Sequence, residues 1–136
     1  MRMNVLVQDV SVLADGKYFA VTKVCEIDAD NTLQSMYDLI GCDTVDYRSF
    51  TIEGHEYDAW FDDEFLFADK QIPSALLTED EGWGRNVLIC NNVFYARSDM
   101  EGCMVGLTDE DIERLKRWQS KSMSKAIKYA RKIGMN

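Results

Sequence analysis

Apolar and polar positions change period several times along the 136-residue chain. The opening segment alternates through Val5 and Val7, meets a polar ADGK stretch at Ala14 to Lys17, and resumes in the β-branched and aromatic run YFAVTKV. This pattern predicts a hairpin. The period then becomes helical. Leu33, Met36, Tyr37 and Ile40 recur at i, i+3, i+4 and i+7, with Asn31 as N-cap, Gln34 as its reciprocal partner three residues on, and Gly41 as the stop. Beyond Gly41, the pieces DTVDYRSFTI, HEYDAWF and EFLF, punctuated by Glu53-Gly54 and Asp62-Asp63, predict short antiparallel strands.

Pro73 is expected to open an irregular region that runs through Glu79, Asp80, Glu81 and the Gly82-Trp83-Gly84 turn sequence. In NVLICNNVFYAR two apolar runs flank Asn91-Asn92, and asparagine tolerates the positive φ of a tight turn, so a second hairpin is expected there. The last element starts at Thr108, whose hydroxyl can cap a helix, with Asp109, Glu110 and Asp111 in the dipole-favoured first turn and Leu107 and Ile112 as the hydrophobic staple. From there Ile112, Leu115, Trp118, Ala126, Ala130 and Ile133 fall on one side of a 3.6-residue period. Arg114, Arg117, Lys121, Lys125, Lys128 and Lys132 form a basic stripe on another.

These elements add up to an α+β class. A small antiparallel sheet carries one short helix after its first strands and a long amphipathic C-terminal helix over residues 108–134. The length suits one core, and no repeat or linker divides residues 1–136, so a single domain is expected. No run of about 18 apolar residues is present, and the start MRMNVLVQDVSV lacks the apolar region and cleavage site of a secretory signal, which points to the cytoplasm. Cys25, Cys42, Cys90 and Cys103 form no CxxC pair and His55 is the one histidine. The expectation is four reduced, mostly buried thiols and no metal site.

The net charge of −9 conceals a division. From Arg114 onward there are eight bases and no acid, whereas the preceding chain sets 24 acids against seven bases, a net −17. A body of that sign repels nucleic acid, while the basic segment can attract it.

The order of elements resembles the domain-of-unknown-function 3846 family of phages and other mobile elements. The carriers, between roughly Asp28 and Arg117, are the helix NTLQSMYDLIG, the strand TVDYRSF, the acidic turn DDE after an aromatic strand, the Ile72-Pro73 step and the closing LTDEDIERL. Members often have a glycine pair ending the first helix, a glycine closing the acidic turn and an asparagine after the proline step. Gly41-Cys42, Phe65 and Ser74-Ala75 stand there instead. The resemblance implies a fold and a genomic setting. It implies no activity and no catalytic residue.

Candidate chemistry is sparse. Ser or Cys nucleophiles need an adjacent base, yet His55 lies in a turn-like Glu53-Gly54-His55-Glu56 sequence, and no GxSxG, Walker A or GxGxxG sequence occurs. Neither a catalytic residue nor a cofactor is assigned, and a non-enzymatic role is expected. Asp58, Asp62, Asp63 and Glu64 could gather around a divalent cation, but Asp62, Asp63 and Glu64 read more simply as solvated turn residues. Tyr57, Trp60, Phe94 and Tyr95 read as core aromatics. Trp83, between glycines, is the aromatic best placed for a surface or pocket, with Arg85 and Arg97 as candidate phosphate-binding groups beside it.

The favoured expectation is therefore a small acidic binding protein of a phage or mobile element that acts on a host protein as an inhibitor of counter-defence type. Its contacts would come from Asp62, Asp63, Glu64, Glu79, Asp80, Glu81, Trp83, Arg85 and Arg97. Two alternatives stand beside it. One is a nucleotide-binding or sequestering protein; the other is a nucleic-acid-binding accessory protein that uses the basic stripe. No membrane partner is expected, and a homo-oligomer is compatible with each reading.

Overall fold

In the computed structural model, which describes residues 1–68, 70–78 and 85–134, the alternating opening segment folds as β1 (Arg2–Val12) and β2 (Tyr18–Asp28). They pair in register from Val12↔Tyr18 to Arg2↔Asp28. The turn is closed by Leu13 N–H to Lys17 O at 2.8 Å and by Gly16 at φ 85°, a conformation that glycine adopts without a Cβ penalty. Helix α1 (Thr32–Ile40) stops at Gly41, which takes the left-handed conformation and donates its N–H to Tyr37 O. The expected reciprocal cap at its start does not form. Asn31 makes no side-chain cap bond, and Gln34 instead donates to Asp38 one turn ahead.

Strands β3 (Val45–Ile52) and β4 (His55–Asp62) form the next hairpin across Glu53 and Gly54, both at positive φ. The EFLF segment is not a strand. Phe65–Phe67 forms a single 3₁₀ turn, with Glu64 N–H captured by Asp62 Oδ1. Pro73 begins order rather than ending it: β5 (Pro73–Leu77) is buried throughout and pairs with β6 (Val87–Cys90) in a separate two-stranded sheet. Proline is tolerated at the first residue of a strand, where its missing N–H costs no ladder bond.

The hairpin expected around Asn91-Asn92 is also overturned. Strand β7 (Val93–Ser98) pairs with β1 and β4, not with β6, so the chain crosses between sheets at these two residues. Their side chains hold the crossing. Asn91, at φ 68°, exchanges bonds with Ile72 through its N–H (2.7 Å) and its Oδ1 (2.9 Å), and Asn92 Oδ1 accepts Val10 N–H at 2.9 Å. After the short β8 (Met104–Val105), which pairs with the end of β7, helix α2 (Asp109–Lys132) closes the fold. A Thr108–Asp111 capping box starts it, satisfying two otherwise orphaned N–H groups.

The main sheet runs β2-β1-β7-β4-β3, entirely antiparallel, so β2 and β3 are its edges. Strand alternation sends Leu6, Phe50, Tyr57, Ala59 and Tyr95 to one face, where α2 and the β5–β6 pair cover them through Leu77, Ile89, Ile112 and Leu115. Val5, Val7, Phe94 and Ala96 point to the other face and are covered by Met36 and Ile40 of α1. The result is an α+β fold with apolar packing on both sides of one sheet. Among the described residues, no helix is long and apolar enough to cross a membrane.

Candidate functional site

Strand register decides which acids meet. The Glu53-Gly54 turn fixes β3 against β4 so that Val45 faces Asp62, and one step beyond, Asp63 N–H donates to Thr44 O at 3.2 Å. This brings the acidic turn Asp62-Asp63-Glu64 beside Asp43, just past the C-terminus of α1. Asp62 and Glu64 line a cleft of about 310 Å³ together with Cys42, Asp43 and Phe67. An adjoining cleft of about 440 Å³ shares Gly41, Cys42 and Asp43 and adds Tyr37 and Asp38. No lysine or arginine lines either cleft among the described residues. At the rim Phe67 is 86% exposed and Leu66 is 64% exposed.

The cleft carries carboxylates suited to cationic groups, and its thiol is held protonated. Burial pushes the Cys42 thiol up to about 11, and the neighbouring Asp62 and Asp43 carboxylates add to the shift, so it stays protonated at neutral pH. Burial alone raises Cys90 to about 12. The expectation of mostly buried thiols holds for Cys90 only: Cys25 and Cys42 are half-buried and Cys103 is exposed. His55 is exposed at the first residue of β4.

Asp58 does not join the acidic turn. It is buried, and its two oxygens accept the Ser49 and Ser98 hydroxyls at 2.7 Å each, a chain of bonds across β3, β4 and β7. Tyr57, Phe94 and Tyr95 are core, as their alternation implies. Trp60 is half-buried and packs on Tyr47 at a 4.5 Å ring separation.

The proposed contact residues Glu79, Asp80, Glu81 and Trp83 lie outside the described residues. Arg85 is exposed ahead of β6. Arg97, on β7 of the other sheet, is already engaged: its Nε donates to Gly106 O at 3.2 Å and lies 3.5 Å from Asp111.

The basic stripe divides in two. Arg114 turns inward, with its side chain 13% exposed, and bonds Tyr57 Oη at 2.7 Å and Glu53 at 3.1 Å. Arg117 reaches the same Glu53 at 4.0 Å. Lys121, Lys125, Lys128 and Lys132 are exposed and make no ion pair among the described residues.

A family model described as a domain of unknown function (DUF3846) matches residues 9–120. The chain belongs to this family. In this DUF3846 member the matched span includes the acidic cleft and the Thr108 cap, and it stops one residue before Lys121. Neither the curated proteins nor the solved structures contain a match.

Asp38, Asp43, Leu66 and Phe67 were not among the sequence candidates. The usable signal was the Glu53-Gly54 turn. Extending its hairpin register outward sets Asp43 opposite Glu64, which no linear motif reveals.

Proposed function

We propose that this DUF3846 protein is a non-enzymatic binding protein that seats a basic surface of a partner protein in the acidic cleft beside α1. One observation carries the reading: Asp38, Asp43, Asp62 and Glu64 converge on adjoining clefts that no lysine or arginine lines among the described residues, next to the exposed Leu66 and Phe67. Carboxylates steer and select a basic partner, and a protruding aromatic supplies the apolar anchor that steering alone lacks. In the phage or mobile-element setting that the family resemblance implies, a host protein with a nucleic-acid-binding surface fits this chemistry, because carboxylates then stand where phosphates would.

The test is capture from host lysate by the immobilised protein at 50 and 500 mM salt, using wild type, an Asp43→Asn/Asp62→Asn/Glu64→Gln triple variant and Phe67→Ala. The expected result is a partner held at low salt, released at high salt and lost by both variants. Capture that ignores salt, or that survives both variants, would sink the reading.

Lys121, Lys125, Lys128 and Lys132 of α2, exposed and without an ion pair among the described residues, favour a second reading, contact with a polyanion along that helix. A gel shift with wild type that Lys121→Glu/Lys125→Glu/Lys128→Glu abolishes would support it; equal mobility shifts for the two proteins would remove it.

A further inference from the structure

The strand β2 forms one edge of the main sheet. It is 11 residues long and, among the described residues, has no strand on its outer side. Leu13 N–H donates to Lys17 O and Ala29 N–H to Met1 O, so odd-numbered residues of β2 bond to β1 and even-numbered ones face outward. Glu26 O is taken by Arg2 at 3.3 Å, which leaves Ala20, Thr22 and Val24 as an outward row of N–H and C=O groups centred on Thr22. Around this row the side chains are apolar and open: Phe19 is 39% exposed, Val21 52% and Val24 46%. Strands of this kind invite pairing unless charge or proline guards them.

Charge here does not guard the edge. Residues 2–28 hold three bases (Arg2, Lys17, Lys23) against four acids (Asp9, Asp15, Glu26, Asp28), a net −1 in a chain of net −9. All three bases are satisfied within the hairpin, by Glu26, Asp15 and Asp9 respectively. A strongly charged partner finds nothing to neutralise, whereas a second copy meets less self-repulsion here than the chain's overall charge would imply.

We propose that β2 pairs antiparallel with β2 of a second copy, with Thr22 opposite Thr22, joining the two sheets into one across a twofold axis. In that register the free stretch is self-complementary. Thr22 pairs with itself and Ala20 with Val24, using every outward N–H and C=O of the row. On the other face Val21 lies against the Lys23 stem and Phe19 against Cys25, and no two like charges oppose each other. A shift of one residue along each strand would set Lys23 against Lys23. The acidic cleft lies at the β3–β4 side of the sheet, so the two surfaces are independent.

Light scattering over a concentration series tests the assembly, with crosslinking to read the register. Wild type should reach twice the 15.6 kDa chain mass. Thr22→Pro removes an N–H that faces away from β1, so the hairpin should survive while the dimer is lost. Val24→Glu offers a second disruption without a backbone change, with circular dichroism and thermal melting reporting that each variant is folded. In a Cys103→Ser background, Phe19→Cys treated with diamide should give a dithiothreitol-reversible dimer that disappears when Cys25→Ser is added.

Wild type remaining a monomer at 100 μM would overturn the proposal. So would a dimer that both folded variants retain, or a Phe19→Cys protein whose crosslink does not need Cys25. A monomeric Thr22→Pro that still captures a salt-sensitive partner would separate this interface from the cleft.

Discussion

The Tyr57 hydroxyl donates to Asp111 Oδ1 at 2.7 Å, joining the centre of β4 to the first turn of α2 across 54 residues of sequence. The same carboxylate takes Thr108 N–H at 2.9 Å and approaches Arg97 and Arg114 at 3.5 and 3.4 Å. The reciprocal half of the capping box, the sheet anchor and the ion-pair centre are thus one residue, 4% exposed. Replacing Asp111 by Ala should cost about 2–4 kcal/mol, since the reciprocal half of the capping box is lost, leaving Thr108 N–H unpaired, and the Tyr57 hydroxyl is left short of its acceptor. Tyr57→Phe should cost about 1 kcal/mol, because Arg114 and the cap still occupy the carboxylate. Urea midpoints for the two variants check this ordering, and equal losses would count against the shared role.

Ser122 seals the open edge of β5. Its hydroxyl accepts Leu76 N–H at 2.9 Å and donates to Leu76 O at 3.1 Å, so a helix side chain stands where a neighbouring strand would. Ser122→Ala should destabilise by about 2 kcal/mol by leaving two backbone groups unpaired in the interior. Amide exchange at Leu76 should accelerate more than at Leu77, which hydrogen-exchange NMR can resolve.

Gln8 is fully buried and ties three elements together. It accepts the Tyr95 hydroxyl at 2.6 Å and donates to Ser74 O at 3.1 Å, bridging the two sheets. Gln8→Leu strands both partners and should cost about 1–3 kcal/mol. Adding Tyr95→Phe should cost less than it does in the wild-type background, since the hydroxyl it removes is already unpaired. A double-mutant cycle measures the difference, expected at about 1 kcal/mol.

Stability should fall at both ends of the pH scale. Burial works to raise the Asp111 pKa but is outweighed by the Thr108 backbone N–H, the Tyr57 and Thr108 hydroxyls and Arg97, so its net shift is downward. The unfolded chain binds that proton near pH 4 and the folded one only lower, so this contribution is present above about pH 4 and is lost on acidification.

Tyr57 and Cys90 run the other way. Burial first, then the Asp111 bond, raises Tyr57 to about 12, and burial raises Cys90 to about 12. Their contributions are intact below about pH 9 and fade toward pH 12, at up to about 1.4 kcal/mol per pH unit for each group. Urea midpoints from pH 3 to 11 should trace a plateau with two falling limbs, the acid limb being shallower in Asp111→Asn.

By itself the sequence determined the local elements whose causes are local. The Gly16 turn, the Gly41 stop, the Glu53-Gly54 hairpin and the Thr108 cap each depend on residues within a few positions of one another, and all four stand in the fold. Charge segregation was legible too, because helical spacing alone fixes the lysine stripe on α2. Only the tertiary structure decided where Pro73–Leu77 and Asn91-Asn92 belong. A buried five-residue strand with a leading proline looks like a loop until β6 and Ser122 supply its partners, and an asparagine pair that closes hairpins elsewhere is here bound by Ile72 and Val10. It likewise turned Arg114 inward and brought Asp43 to Asp62, since a side chain's role depends on neighbours that are adjacent only after folding.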